Sequence, residues 1–156
     1  MFMHNGFIGG WNVLRREIEE LIPDDLYPSR LGTTDSEAIF LAIMGRGILD
    51  DPIGATARTL TAVAQLANRA GSAHALRFTA ALTNGRDLYA FRCSVNDAAN
   101  TLYYRSNSNG TAIVSEPVDE NHSDWIEVPR NRVLVARAGL PIEILPFLDE
   151  KRVAAE

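Results

Sequence analysis

The sequence predicts a single α+β domain in which helices come first and antiparallel strands follow. The chain has 156 residues, of which 46% are hydrophobic, so it is long enough to bury the core of one domain. Apolar residues recur at helical spacing up to about residue 71, and from residue 75 their period changes to two. Helices followed by a run of strands is the order of an α+β domain.

The first two elements are predicted from short patterns near the start of the chain. Residues 2–4 are predicted to form a short strand that ends at the turn-forming pair Asn5-Gly6. Residues 12–22 carry an apolar stripe at helical spacing and are predicted to form an amphipathic helix. Asn12 is expected to cap this helix and Pro23 to end it.

A second helix is predicted to begin at the sequence Thr34-Asp35-Ser36-Glu37 and to run to about Gly45. This start is a capping box, in which Thr34 accepts a hydrogen bond from the backbone of Glu37 and Glu37 reaches back. Asp35 would then lie in the first turn, where the helix dipole favours the ionised carboxylate.

A third helix is predicted to begin at Asp51-Pro52 and to close at Gly71. Three antiparallel strand pairs are predicted to follow it: 75–83 with 87–93, 101–105 with 111–115, and 133–137 with 142–145. The first hairpin is indicated by Asn84-Gly85, because this dipeptide accepts the positive φ angles of a type I′ turn. Residues 117–132 are predicted to be a polar loop.

Charge and composition exclude several classes of protein. Fifteen basic and 20 acidic residues give a net charge of −5, which argues against binding to a nucleic acid backbone. No apolar stretch approaches 18 residues, so no transmembrane helix is expected. A single cysteine can form neither an internal disulfide nor a Cys-x-x-Cys metal site. We therefore expect a cytoplasmic protein with no membrane and no nucleic acid partner.

The histidines and the cysteine indicate no metal and no cofactor. His4, His74 and His122 are too far apart for a helical metal pair, and no cysteine joins them. Cys93 falls on the apolar side of a predicted strand, where a buried thiol is expected to be inert. No G-x-S-x-G sequence is present, although a Ser-His-Asp triad stays open at this stage.

Two segments allow a chemical interpretation beside a purely structural one. Asn5 and Gly6 could be no more than a turn, yet an amide donor beside an unobstructed backbone N–H supplies the parts of an oxyanion hole. Asp35 could be no more than helix-start chemistry, yet it also offers an ionised carboxylate.

Taken together, these segments resemble a known family. The sequence FMHNG, followed some thirty residues later by TDSE, resembles the class II glutamine amidotransferases, whose nucleophile is N-terminal. The wider sequence, including LYPSRLGTTDSEAIFLAIMGRG and IVSEP, is similar to the stand-alone bacterial branch related to the γ-glutamyl hydrolase of ergothioneine synthesis. The resemblance covers nearly the whole chain, so residues 1–156 are expected to be one glutamine amidotransferase type 2 domain.

The resemblance implies a role for each matching residue. Asn5 corresponds to the asparagine whose amide donates to the oxyanion, and Gly6 to the glycine whose N–H is the second donor. Asp35 corresponds to the carboxylate that binds the α-ammonium of glutamine. The implied fold is a four-layer αββα sandwich. The implied reaction releases ammonia from the glutamine side-chain amide and then hydrolyses a thioester, with no cofactor and with ammonia passing to water or to a separate partner enzyme.

The chain departs from the family at the nucleophile. The family uses an N-terminal cysteine, whereas Phe2 follows Met1 here and Cys93 lies far along the sequence. The family's arginine for the substrate carboxylate also precedes the FMHNG segment. We therefore expect this chain to be the C-terminal portion of such an enzyme, lacking the nucleophilic segment and inactive alone. Two alternatives are a hydrolase of γ-glutamyl conjugates and a non-catalytic glutamine-binding domain.

Overall fold

One strand precedes three helices, and seven further strands follow them in the computed structural model, which describes residues 1–95, 98–117, 119 and 122–148. The helices are α1 (Trp11–Glu19), α2 (Asp35–Gly45) and α3 (Pro52–Arg69). The strands are β1 (Phe2–Ile8), β2 (Leu76–Thr83), β3 (Asp87–Val95), β4 (Tyr103–Asn107), β5 (Gly110–Val114), β6 (Ile126–Glu127), β7 (Arg132–Arg137) and β8 (Glu143–Pro146). Single turns of 3₁₀ helix lie at Tyr27–Ser29 and His122–Asp124.

The strands form two antiparallel sheets, which confirms a mixed fold with antiparallel pairing. The larger sheet has the order β1-β2-β3-β7-β8, and the smaller has the order β5-β4-β6. All three predicted strand pairs are present, as β2 with β3, β4 with β5, and β7 with β8. Among the described strands, β1 and β8 are therefore the edges of the larger sheet.

The helices cover one face of the larger sheet. Alternate strand residues such as Phe78, Phe91 and Val133 pack with helix residues such as Ile39 and Leu60 in the main core. The opposite face contributes to a smaller core, which joins the two sheets through Ala90, Leu102, Val128 and Leu134. The described residues thus form a helix layer, a five-stranded sheet and a three-stranded sheet.

The first helix differs from its prediction at both ends. It begins at Trp11 after Gly10, whose φ of 74° breaks the strand direction, so Asn12 is not its cap. It ends at Glu19 rather than at residue 22, because the following residues form turns in which Leu21 and Ile22 donate to Ile18 and Glu19.

The other two helices confirm their predicted starts. Thr34 caps α2 by accepting from the N–H of Glu37 at 3.3 Å, and Asp51 caps α3 by accepting from Gly54 at 2.9 Å. The reciprocal half of the capping box is wrong, since the carboxylate of Glu37 instead accepts from the backbone of Leu31 and Gly32.

The predicted turn at Asn5-Gly6 is wrong. The strand continues to Ile8. In the middle of β1, Asn5 pairs with Thr79 of β2 and Gly6 pairs with Phe78. The dipeptide alone predicts a turn because glycine tolerates positive φ, but here the glycine allows a close approach of two backbones.

The predicted polar loop at 117–132 is also more structured than expected, since it contains β6 and the 3₁₀ turn at His122–Asp124. Residues 118, 120 and 121 of that loop lie outside the described part of the chain. Within the described ranges, none of the helices has both the length and the apolar character needed to cross a membrane.

Candidate active site

The open edge of β1 exposes the backbone of every second residue. Gly9 donates to the carbonyl of Ala75 at 3.0 Å, and at the other end Thr83 donates to the carbonyl of Met1 at 3.0 Å. Because bonding residues alternate along an antiparallel pair, the odd-numbered residues of β1 bond to β2. The N–H groups of even-numbered residues, including Gly6, therefore face the side on which no described strand lies.

Gly6 is placed where only a residue without a side chain fits. A Cβ atom built there would lie 2.1 Å from the carbonyl oxygen of Arg77 and 2.6 Å from Nε2 of His4. Since neither distance is tolerated by real atoms, glycine is required by the close packing of β1 on β2. Because Gly6 has no side chain, the residue itself does not cover its outward N–H.

Asp35 lies at the same edge, two residues further along β1. Its Oδ2 accepts from the N–H of Ile8 at 3.1 Å, and its Oδ1 accepts from the N–H of Ser36 at 2.7 Å. As the first residue of α2, Asp35 also lies at the positive end of the helix dipole. A carboxylate has about four acceptor positions, so it keeps capacity for a further donor such as an ammonium group.

His4 ties the strand to this helix start. Its Nδ1 lies 2.8 Å from the hydroxyl oxygen of Ser36, and that hydroxyl lies 3.4 Å from Oδ1 of Asp35. Its ring is stacked on that of Phe2 at 6.1 Å and is tilted against that of Phe78 at 4.9 Å. Burial lowers the pKa of His4 and outweighs the attraction of the Asp35 carboxylate, so the neutral imidazole is favoured.

Asn5 points to the other face of the sheet, where Asn100 contacts it. The side-chain nitrogen of Asn100 donates to the backbone carbonyl of Asn5 at 3.2 Å and to its Oδ1 at 3.3 Å. The oxygen of the Asn5 amide is thus directed at Asn100, which leaves its Nδ2 directed elsewhere. Asn5 is exposed to solvent.

A buried arginine fixes the loop that leads into α2. The side chain of Arg30 is 4% exposed and forms ion pairs with Glu19 and Glu37. The N–H of Leu31, with help from Gly32 and Arg30, lowers the pKa of Glu37. Burial disfavours ionised Glu19, but hydrogen bonds from Arg15 and Arg30 outweigh it, and the pKa of Glu19 is lowered as well. We call Arg30, Glu19 and Glu37 the charged clamp. It ties the loop before α2 to α1 and so helps to place Asp35, which lies two residues before Glu37.

Cys93 does not lie at this edge, because β2 separates its strand, β3, from β1. It is fully buried, as the sequence predicted, and it faces the helices beside Phe78 and Phe91. In the described part of the chain, no group of three or more His, Cys, Asp or Glu residues could hold a metal ion. His122 is described only in its backbone.

The structure thus brings Gly6 and Asp35 to one edge of β1, whereas the side chain of Asn5, the residue before Gly6, lies on the opposite face of the sheet. Sequence reasoning missed His4, Ser36 and Asn100 as supporting residues. Asn100 gives no local signal, since it meets Asn5 across 95 positions of sequence.

Comparison with solved structures gives the fold a context. The glutamine aminotransferase class-II domain protein of Silicibacter pomeroyi superposes with a TM-score of 0.87 at 36% sequence identity, over 94% of this chain and 66% of that one. Other structural neighbours of this chain are glutamine amidotransferases. The chain spans just under two thirds of the length of that protein. No protein-family model and no curated protein matches the sequence.

Two more distant amidotransferases share the fold alone. Glutamine phosphoribosylpyrophosphate amidotransferase from B. subtilis matches with a TM-score of 0.61 at 10% identity, over 94% of this chain and 29% of that chain. A predicted glutamine amidotransferase from Pseudomonas aeruginosa matches with a TM-score of 0.52 at 18% identity, over 92% of this chain and 58% of that chain. These two matches show that the chain shares its fold with amidotransferases.

Proposed function

We propose that this chain supplies the oxyanion-binding and ammonium-binding part of an enzyme that hydrolyses the side-chain amide of glutamine. The observation that carries the proposal is the meeting of the outward Gly6 N–H and the Asp35 carboxylate at one edge of β1. The 36% identical amidotransferase neighbour supports the same assignment. In this fold the three described layers are part of a four-layer αββα sandwich.

The substrate lies along the open edge of β1. Asp35 binds its α-ammonium group, because an ionised carboxylate at a helix start is a ready acceptor. The Nδ2 of Asn5 and the N–H of Gly6 donate to the oxygen of the side-chain amide as it becomes an oxyanion. Donors fixed by a strand need no rearrangement at that moment, which is why they lower the barrier.

The attacking thiolate comes from a cysteine outside residues 1–156, as the family resemblance implies. It adds to the amide carbon, and the resulting oxyanion collapses to a thioester as ammonia leaves. Water then cleaves the thioester and releases glutamate, while the ammonia passes to water or to a separate partner enzyme. Cys93 cannot replace that thiolate, because it is buried on the helix-facing side of β3. The 156-residue chain alone is therefore inactive.

A γ-glutamyl conjugate is the alternative substrate. It has the same acyl and ammonium groups as glutamine, so Asp35, Asn5 and Gly6 would bind it in the same manner. Only the leaving amine differs. Parallel rates of glutamate release from glutamine and from γ-glutamyl amides, measured with the full polypeptide that carries this chain, separate the two.

The test is ammonia release from glutamine by that full polypeptide. Asn5→Ala is expected to lower kcat by about 10²–10³-fold, the effect of losing one oxyanion donor. Asp35→Asn is expected chiefly to raise KM. Asn109→Ala, in the exposed turn between β4 and β5, is the control and should leave both constants unchanged. Full activity in the Asn5→Ala variant contradicts the proposal.

The chain alone gives a second test. Steady ammonia release by the pure 156-residue chain, abolished by Asn5→Ala, contradicts its predicted inactivity. Calorimetry distinguishes the second alternative, a non-catalytic binding domain: the folded full polypeptide would then bind glutamine or glutamate and release no ammonia.

A further inference from the structure

Asn100 lies at the junction of the oxyanion strand and two arginines. Its Nδ2 donates to the carbonyl oxygen and to Oδ1 of Asn5, at 3.2 and 3.3 Å. Its Oδ1 accepts from a guanidinium nitrogen of Arg77 at 3.5 Å. Its backbone carbonyl accepts from Nε of Arg92 at 2.8 Å. Both atoms of its side-chain amide and its backbone carbonyl therefore have hydrogen-bond partners.

The orientation of the Asn100 amide follows from these partners. A guanidinium group only donates hydrogen bonds, so the Asn100 atom facing Arg77 must be the oxygen. The backbone carbonyl of Asn5 only accepts, so the Asn100 atom facing it must be the nitrogen. The two requirements agree, and neither is met if the amide is turned over.

The orientation of Asn5 follows in turn. Its amide presents one atom to the Asn100 nitrogen, and that atom must be Oδ1 because a donor needs an acceptor. The Nδ2 of Asn5 is then turned away from Asn100. An Asn5 amide in the reverse orientation would place two donors in contact and would present an oxygen where a donor is needed.

The backbone of Asn100 is held by a buried side chain. Arg92 is 9% exposed and, besides Asn100, donates to Glu127 at 2.6 Å and to the carbonyl of Val128 at 2.5 Å. These bonds span the two sheets. Asn100 is thus held through both its backbone and its side chain. A residue that orients another must itself be held in this way.

We propose that Asn100 is a positioning residue that sets the amide of Asn5 with its nitrogen toward the developing oxyanion. The inference rests on the proposed function, in which Asn5 is the donor. Asn100 touches neither substrate nor reacting atoms and acts through Asn5 alone.

The test is Asn100→Asp, which keeps the shape and removes the donor. A carboxylate accepts only, so it attracts Nδ2 of Asn5 and turns the amide over. In the full polypeptide we expect kcat for glutamine hydrolysis to fall about 10²-fold, the scale of a lost oxyanion donor, with KM within about twofold. Asn109→Asp is the matched control, because it makes the same chemical change at an exposed turn.

A double-mutant cycle shows whether Asn100 acts through Asn5. In the Asn5→Ala background, Asn100→Asp should have no further effect on kcat, because the group that it orients is gone. Additive losses overturn the proposal. If Asn5→Ala lowers kcat and Asn100→Asp does not, the positioning role fails while the proposed function stands. If Asn5→Ala has no effect, both fail.

A measurement without turnover completes the test on the 156-residue chain. With ¹⁵N labelling, exchange of the Asn5 side-chain amide protons with water is expected to slow about tenfold in Asn100→Asp, the effect of one new hydrogen bond to a charged group. Asn100→Ser, which retains a small donor and adds no charge, gives a second variant in case the aspartate unfolds the chain, and it should not slow this exchange. Equal exchange of Asn5 in Asn100→Asp and the parent chain overturns the proposal.

Discussion

The imidazole Nδ1 of His4 and the hydroxyl oxygen of Ser36 lie 2.8 Å apart and join the strand β1 to the start of α2. The contact spans 32 positions of sequence. It connects the strand that carries Asn5 and Gly6 to the residue next to Asp35. The distance between Gly6 and the Asp35 carboxylate is therefore held by a side-chain bond as well as by the backbone.

Ser36→Ala tests how much this contact stabilises the fold. The Nε2 of His4 is already buried without a hydrogen bond of good geometry within the described residues, although the Arg77 carbonyl is near it. Removing the Ser36 hydroxyl leaves the part-buried Nδ1 without its partner, so we expect a loss of about 1–3 kcal/mol in the free energy of unfolding. Urea denaturation measures it, with Ser108→Ala in an exposed turn as the control. An equal effect of the two changes would refute the role of the contact.

The buried His4 also predicts how stability depends on pH. Because burial lowers the pKa of His4 in the fold, the unfolded chain binds a proton first as the pH falls below about 6.5. The free energy of unfolding should thus be highest above that pH and should decline below it, by at most about 1.4 kcal/mol per pH unit from this group. Urea denaturation between pH 7.5 and 5.0 measures the slope. His4→Gln should flatten it, and an unchanged slope would show that His4 is not responsible.

Gly6→Ala is expected to be more harmful than a glycine replacement in open space. Its new Cβ would meet the backbone carbonyl of Arg77, which cannot move without breaking the β1–β2 pairing. We expect a loss on the order of 4 kcal/mol or failure to fold. Gly85→Ala is the comparison, since that glycine has a φ of 92° and no atom near its Cβ position, and it should lose only about 1–2 kcal/mol. Circular dichroism during urea titration separates the two.

Arg30→Met tests the charged clamp beneath α2. At pH 7 the variant leaves Glu19 and Glu37 without their shared cation, so its Tm should fall by several degrees. The lowered pKa values of both carboxylates mean that the clamp stabilises the fold above about pH 4.5 and that this contribution disappears as the pH falls through the folded pKa values. The gap in Tm between parent and variant should therefore narrow at pH 3.

The control for Arg30 is Arg16→Met. Arg16 pairs with Glu20 on the exposed side of α1 at 3.8 Å, and pairs of this kind contribute at most about 1 kcal/mol. Its Tm should remain near that of the parent at both pH values. A gap for Arg30→Met that stays constant between pH 7 and pH 3 would assign its effect to packing rather than to charge.

Local patterns predicted most of the elements correctly. The starts of α2 and α3 follow from side-chain caps that act within four residues, and the β2–β3 hairpin follows from Asn84-Gly85. The errors arose where the deciding contact is distant. Gly6 was interpreted as part of a turn because its requirement, the carbonyl of Arg77, lies 71 positions away.

The sequence likewise predicts some residues of the candidate site and misses others. Asn5, Gly6 and Asp35 were found because their residue types and spacing resemble a known family, and the structure adds that Gly6 and Asp35 share an edge. His4, Ser36 and Asn100 act through bonds between distant segments. No composition or periodicity signals such bonds, so sequence alone could not predict them.

The bond between Asp35 and Ile8 limits what can join the edge of β1. A strand added at this edge would bond to the outward N–H groups of Phe2 and His4. It could not bond to the N–H of Ile8, because the Asp35 carboxylate already accepts from that group. Any such strand must leave the edge before Ile8, and it must stop short of Gly6 if that N–H is to remain available. Asp35 thus limits sheet growth along β1: a further strand cannot bond to the N–H of Ile8 while the carboxylate accepts from it.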